Sequence, residues 1–169
     1  MKITFRTAAE SDRQLLFELY ASTREAELAL VPWTEPQKLA FVQMQFAAQA
    51  RSYGETHPHA VHEIIACDGQ DCGRLYLSRQ PENFHILDIT IAPASRNAGI
   101  GTRVLAEIVE EADRTEKPVS IYVEETNPSV RFFRRFGFEV ARQDGFQLFL
   151  NRLPGAASHS QPEAAPEGD

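Results

Sequence analysis

The stretch SRNAGIGTRVL, Ser95 to Leu105, decides how the rest of the chain is read. Gly99 and Gly101 stand two apart. They follow an apolar run, Phe84–Ile91 (FHILDITI), and precede a segment of helical period. Glycine lets a backbone approach an anion closely. The free N–H groups at a helix start, together with the helix dipole, favour a phosphate or pyrophosphate there. Two familiar nucleotide loops fail on residue identity. A dinucleotide fingerprint needs a third glycine where Val104 stands, and a P-loop needs a Gly-Lys-Ser/Thr that is absent. What remains is Arg-x-x-Gly-x-Gly between a strand and a helix. It reads either as an anion cradle or as a plain strand-to-helix turn.

Working outward, Ile100, Val104, Leu105, Ile108, Val109 and Ala112 predict an amphipathic helix, which Lys117-Pro118 ends. Val119–Val123 reads as a strand. Asn127 as N-cap and Pro128 at the first helical position start a short helix carrying Val130, Phe133 and Phe136, with Gly137 to close it. Residues 138–141 and 145–150 read as a final pair of strands. Upstream, residues 2–6 alternate as a strand. Ser11 or Asp12 caps a helix bearing Leu15, Leu16, Leu19 and Tyr20. A second helix carries Leu39, Val42, Met44 and Phe46 and ends near Tyr53-Gly54. Strands 62–67 and 72–79 flank Asp68-Gly69, a strong hairpin-turn pair. The order β-α-α-β-β-β-α-β-α-β-β describes one α/β (α+β) domain over residues 1–153, with a mixed sheet and helices on its faces. Residues 154–169 are Pro, Ala, Ser and Glu rich and are expected to be disordered.

The composition agrees with a single globular unit: 169 residues, 43% hydrophobic and 24% charged. The net charge of −7 argues against nucleic acid or an anionic membrane as partner, since both demand a basic surface. No apolar run approaches the ~18 residues of a membrane span, and MKITFRTAAESD lacks a signal-peptide core, so a cytoplasmic location is expected. Cys67 and Cys72 read as buried strand thiols. The His57, His59, His62 cluster lacks paired cysteines or carboxylates at ligand spacing, so no metal site is expected.

In this setting ITIAPASRNAGIGTRVL resembles the strand, turn, [RQ]-x-x-G-x-[GA] loop and helix of the GNAT superfamily of acyl-CoA-dependent N-acetyltransferases. NPSVRFFRRFGFE is similar to that family's later N-x-x-[AV]-x-x-[FY]-x-x-x-G-F segment, and DGQDCGRLYL to its central hairpin. The element order agrees from residue 2 to about 151. The resemblance implies a mixed, mostly antiparallel central sheet with helices on both faces. It implies acetyl-CoA as acyl donor and direct attack by a primary amine of a small molecule or peptide. It places the pantetheine arm along Ile89, Thr90 and Ile91. The pyrophosphate falls on Arg96, Asn97, Ala98, Gly99, Ile100, Gly101 and Thr102, and Asn127 and Phe133 are further cofactor contacts. The final strands of the family often pair between subunits, so a homodimer is a candidate assembly.

The chain departs from the family in two places. Asn97 and Ala98 stand where the commonest loop has glycine and a basic residue. Asn tolerates left-handed backbone, and Arg103, Arg131, Arg134 and Arg135 are candidates for the missing charge. Phe133 stands where the usual acid, a tyrosine, would be, so the thiolate leaves without that proton or with help from water or Tyr122. An alkyl ammonium of pKa ~10.4 is neutral in only about one molecule in ~10³ at pH 7, while a thiol of pKa ~8.5 leaves readily, so the base matters more than the acid. His85 occupies the family's base position. Asp88 is its rival, as an acid within an apolar strand. Strict alternation puts these two on opposite faces unless a bulge intervenes. Glu124, at the end of the next strand, is the third candidate for proton relay or for binding a cationic acceptor.

Overall fold

The apolar stripe after the glycine loop becomes helix α4 (Ile100–Arg114), and all six of its stripe residues are buried. Val104, Leu105 and Ala112 have no exposed surface, and each of the two larger ones contributes about 2 kcal/mol by leaving water. They pack on a seven-stranded sheet. Residues 1–157 are described in this computed structural model. The strands are β1 (Ile3–Thr7), β2 (Val61–Cys67), β3 (Gln70–Arg79), β4 (Phe84–Ile91), β5 (Val119–Glu124), β6 (Glu139–Asp144) and β7 (Gln147–Arg152). Their spatial order is β1-β2-β3-β4-β5-β7-β6, and only β4 and β5 run parallel. The sheet is thus mixed and mostly antiparallel, as the resemblance implied.

The other face carries α1 (Arg13–Ser22) and α3 (Glu35–Thr56), with a four-residue helix α2 (Glu25–Leu28) between them that the sequence did not signal. Thr34 and Gln37 form a reciprocal capping box at the start of α3, at 2.9 and 3.3 Å. The helix runs past Gly54 to Thr56, longer than the reading from glycine, because Tyr53 is anchored below it. α5 (Ser129–Arg135) begins as expected, except that Asn127 caps from one residue further out: its Oδ1 accepts the Ser129 N–H at 2.9 Å. Gly137, at φ 87°, ends the helix in the left-handed region.

The sheet's far end is pinned by Arg152, whose side chain is 2% exposed. It donates to both oxygens of Asp113 at 2.6 and 3.0 Å, to the Phe136 carbonyl at 2.7 Å and to the Ala156 carbonyl at 2.8 Å. The Gly155 N–H adds a bond to Asp113 at 2.8 Å. The segment read as a tail therefore starts out bound to the domain. Its remainder, residues 158–169, lies outside the described residues. Both cysteines are free thiols, Cys72 buried and Cys67 half-buried. Among the described residues no helix is long and apolar enough to cross a membrane.

Candidate active site

β4 and β5 are hydrogen-bonded partners only over Phe84–Ile86 and Val119–Ile121. Beyond that short ladder β4 stays paired with β3, and β5 with β7. The two strands therefore part. The edge of Leu87–Ile91 that faces β5 is left without a strand partner, and a V-shaped cleft opens toward the glycine loop.

A bulge shapes the same strand. Tyr76 pairs with Asp88 and Leu77 with Ile86, so Leu87 is the extra residue. Its carbonyl accepts the Tyr53 hydroxyl at 3.0 Å. The bulge shifts the parity of everything after it. Phe84 and Ile86 before it, and Ile89 and Ile91 after it, all join the core on the α4 side. His85 and Asp88 consequently share the opposite face, the one under α3. Strict alternation had separated them.

The two are differently engaged. The His85 ring stacks on His57, the residue that ends α3, with centroids 5.3 Å apart, and meets Tyr122 edge-on at 5.8 Å. Its Nδ1 lies 2.8 Å from Ser120 Oγ, which lies 3.5 Å from the Phe84 carbonyl. A serine hydroxyl that donates to that carbonyl accepts from Nδ1–H, which leaves Nε2 as the basic nitrogen. Burial, reinforced by His57, pushes the His85 pKa down to about 4. Asp88, in contrast, has both oxygens occupied. One is ion-paired with buried Arg74, the other accepts the Thr90 hydroxyl at 3.0 Å. Arg74 in turn donates to Gln49 on α3 at 2.7 Å.

Glu124 sits on the other lip of the cleft, at the end of β5, half-exposed and 3.8 Å from Arg24. Phe133 is 2% exposed and packs edge-on against Phe132 and Phe138. It belongs to the core and has no proton to give. The Tyr122 hydroxyl is the nearby alternative: it accepts from Arg142 at 2.6 Å and keeps its own proton to donate.

The loop itself is built on backbone. Asn97 and Gly99 are both left-handed, at φ 61° and 78°. Asn97 thus adopts the conformation for which the family's commoner glycine is suited. A Cβ at Gly99 would meet nothing within 4 Å, so glycine is needed there for its dihedral and not for room. No side chain caps the first turn of α4, and the loop residues 96–99 and Thr102 are exposed. These free N–H groups fit a pyrophosphate. Arg96 is committed elsewhere, donating to the Ile91 carbonyl at 3.0 Å and to Ser22 Oγ at 3.1 Å, which ties α1 to the end of β4. Arg103 donates to the Met1 carbonyl at 2.9 Å. Arg131, Arg134 and Arg135 on α5 make no such bond among the described residues.

A family model for the acetyltransferase (GNAT) domain matches residues 58–140, from before β2 to the start of β6. The chain carries a GNAT acetyltransferase domain. The GNAT fold is also that of its structural neighbours. The PaiA N-acetyltransferase from Thermoplasma acidophilum, solved with coenzyme A, superposes with a TM-score of 0.69 at 16% identity over 90% of this chain and 99% of that one. An acetyltransferase from Thermus thermophilus gives 0.64 at 16% identity, covering 90% and 97%. The ribosomal-protein-S18-alanine N-acetyltransferase from Escherichia coli gives 0.60 at 13% identity, covering 95% and 99%. No curated protein matches the sequence itself. The reaction class of the GNAT domain is acetyl transfer.

Two features of this GNAT site were missed in the sequence, and a third, the bulge, was named only as an exception to the alternation. His57 entered only as a metal candidate, and Tyr53 only as a helix end. The bulge did leave a signal: apolar residues fall at 84 and 86, then at 89 and 91, so the phase of the alternation slips by one. The His57–His85 contact left none, because it joins residues far apart in the chain.

Proposed function

We propose that the protein is an N-acetyltransferase that moves the acetyl group of acetyl-CoA to a primary amine of a small molecule or peptide by direct attack. The observation that carries this reading is the cleft between β4 and β5, opening onto an uncapped helix start. The free edge of Ile89, Thr90 and Ile91 holds the amide-bearing arm, and Asn97 to Thr102 hold the pyrophosphate through backbone N–H groups. Asn127, one oxygen of which caps α5, keeps its amide N–H₂ to donate. The bound donor supplies a thioester, whose carbon the amine attacks and whose thiolate departs.

Among the three carboxylate and imidazole candidates, His85 is the base. Asp88 is fully occupied by Arg74 and Thr90, and Glu124 is placed to hold a cationic acceptor at the cleft mouth. A ring titrating at about 4 takes a proton poorly from a free ammonium. Transfer from an alkyl ammonium of pKa ~10.4 is uphill by roughly 9 kcal/mol, and from an α-amine of pKa ~8 by roughly 5 kcal/mol. His85 therefore favours a weakly basic amine, or one that arrives neutral and sheds its proton to Nε2 as the C–N bond forms. The buried phenyl ring of Phe133 favours a second reading, an acyl-CoA-binding sensor of the same fold with little catalysis.

Calorimetry with acetyl-CoA, followed by thiol release across a panel of amines, separates the two. Turnover supports the enzyme, binding without turnover on any amine supports the sensor, and no binding overturns both. Replacing His85 with Gln is expected to lower kcat by about 10²-fold or more, partly rescued at high pH, whereas Asp88→Asn and Glu124→Gln cost less. Full rate in all three variants would remove the base assignment.

A further inference from the structure

On the sheet face away from α4, a cavity of about 370 Å³ lies between α1, α3 and the strands β2 and β3. None of its lining residues belongs to β4, β5 or the glycine loop, so it is separate from the acetyl-transfer cleft. Its floor is polar, formed by His62, Arg74 and Tyr76, and its walls include Leu16, Phe46 and Ala50.

One buried hydrogen-bonding atom on that floor is unmet, and the arginine beside it has a nitrogen without a described partner. The Arg74 side chain is 5% exposed; its Nε serves Asp88 and its Nη2 serves Gln49, while Nη1 donates to no described residue. His62 Nε2 is buried and has no partner among the described residues. The His62 ring is fixed edge-on to Tyr76 at 4.5 Å. Buried polar groups are nearly always partnered, so an unmet imidazole nitrogen, beside an arginine nitrogen with no described partner on the floor of the same cavity, points to a ligand.

The chemistry narrows that ligand. A guanidinium only donates, and a neutral imidazole can donate beside it, so the ligand must present an acceptor. A carboxylate is the acceptor that suits a guanidinium best. The other charges around the floor are Asp88 against Arg74, Asp12 near His62 with Arg6 paired to it, and Glu10 with Arg13 at the mouth, 3.6 Å apart. They nearly cancel, so one negative charge is accommodated and a dianion is not. The volume and the apolar walls suit a body the size of one aromatic ring or a branched alkyl group. We propose that this cavity binds a small monocarboxylic acid with a compact apolar body, held by Arg74 and His62. The site adjoins the donor strand through a short chain of contacts, since the Asp88 that pairs with Arg74 also accepts from Thr90 on β4.

Phenylacetate is the probe, titrated into the full-length protein and followed by calorimetry and by amide chemical shifts. Benzyl alcohol and benzylamine, which keep the ring and change the charge, are the comparisons. Phenylacetate is expected to bind at least tenfold tighter than benzyl alcohol, as a charge-assisted bond implies, and benzylamine not at all. The shifts should centre on His62, Arg74 and Tyr76. Ala50→Phe, which fills the cavity and leaves its polar floor intact, should abolish binding; Ala47→Leu serves if that variant does not fold. The proposal is overturned by absence of saturation up to about 10 mM, by equal binding of acid and alcohol, or by binding that survives a filled cavity.

Discussion

Gly73 on β3 offers a way to displace the donor strand without touching any residue of the glycine loop. It faces Ile91 across the β3–β4 ladder. A Cβ built there would lie 2.5 Å from the Thr90 carbonyl oxygen and 3.0 Å from Ile91 Cδ1. A comfortable carbon–oxygen separation is about 3.3 Å or more, so Gly73→Ala must push the Thr90 carbonyl by roughly 0.8 Å. Backbone cannot swing aside as a side-chain tip does, so the shift is shared along the free edge at Thr90 and Ile91. Overpacking of this kind costs about 1–3 kcal/mol, which lowers Tm by roughly 2–12 °C in a domain of this size. The displaced edge should weaken coenzyme A binding by tenfold or more, measured by calorimetry well below the lowered Tm. Gly69→Ala is the companion variant. At φ 84° in an open hairpin turn it costs about 1 kcal/mol through its dihedral alone, and it should leave coenzyme A affinity unchanged. If Gly73→Ala is destabilised yet binds coenzyme A as the parent does, the Thr90–Ile91 edge does not hold the cofactor.

Two further outcomes follow from the packing. The folded protein keeps His62 and His85 neutral down to about pH 4, whereas the unfolded chain protonates them near pH ~6.5. The unfolded state thus binds more protons across that window, and each ring removes up to about 1.4 kcal/mol per pH unit as pH falls through it. Urea midpoints should decline from pH 6.5 to 4, and His62→Phe combined with His85→Phe should flatten the decline; an unchanged slope would show that neither ring is held neutral. Asp113→Ala strands the buried Arg152 cation and should cost about 3 kcal/mol in urea unfolding, the lower end of the usual range because Asp113 is 34% exposed, while Arg152→Met should cost less.

Much of the architecture was legible because it rests on local chemistry. The stripe from Ile100 to Ala112 could only be a helix buried on one face, and Asp68-Gly69 could only turn a hairpin tightly; both are as the residues imply. The loop was legible for the same reason, since its left-handed positions need Asn97 and Gly99 and nothing remote. The candidate site was harder to read. Whether His85 and Asp88 share a face depends on one inserted residue, Leu87, held by a tyrosine 34 positions earlier. That Asp88 is spoken for depends on Arg74, a residue of the adjacent strand that nothing in its own neighbourhood marks as a partner. Helix α2 was missed because four residues are too few to show a period.

The short ladder between β4 and β5 has a mechanical meaning. Among the described residues, the β-ladder between two half-sheets, β1–β4 on one side and β5–β7 on the other, is three residues long on each strand. A ligand whose own amides lie along Leu87–Ile91 would act as the missing length of strand and extend that ladder. Amide hydrogens on the two lips of the cleft should then exchange at the rate of local opening when the protein is free, and at the rate of global unfolding once it is loaded. On this view such a co-substrate would complete the sheet between the two lips, while the single core that α4 shares with both half-sheets keeps them together when it leaves.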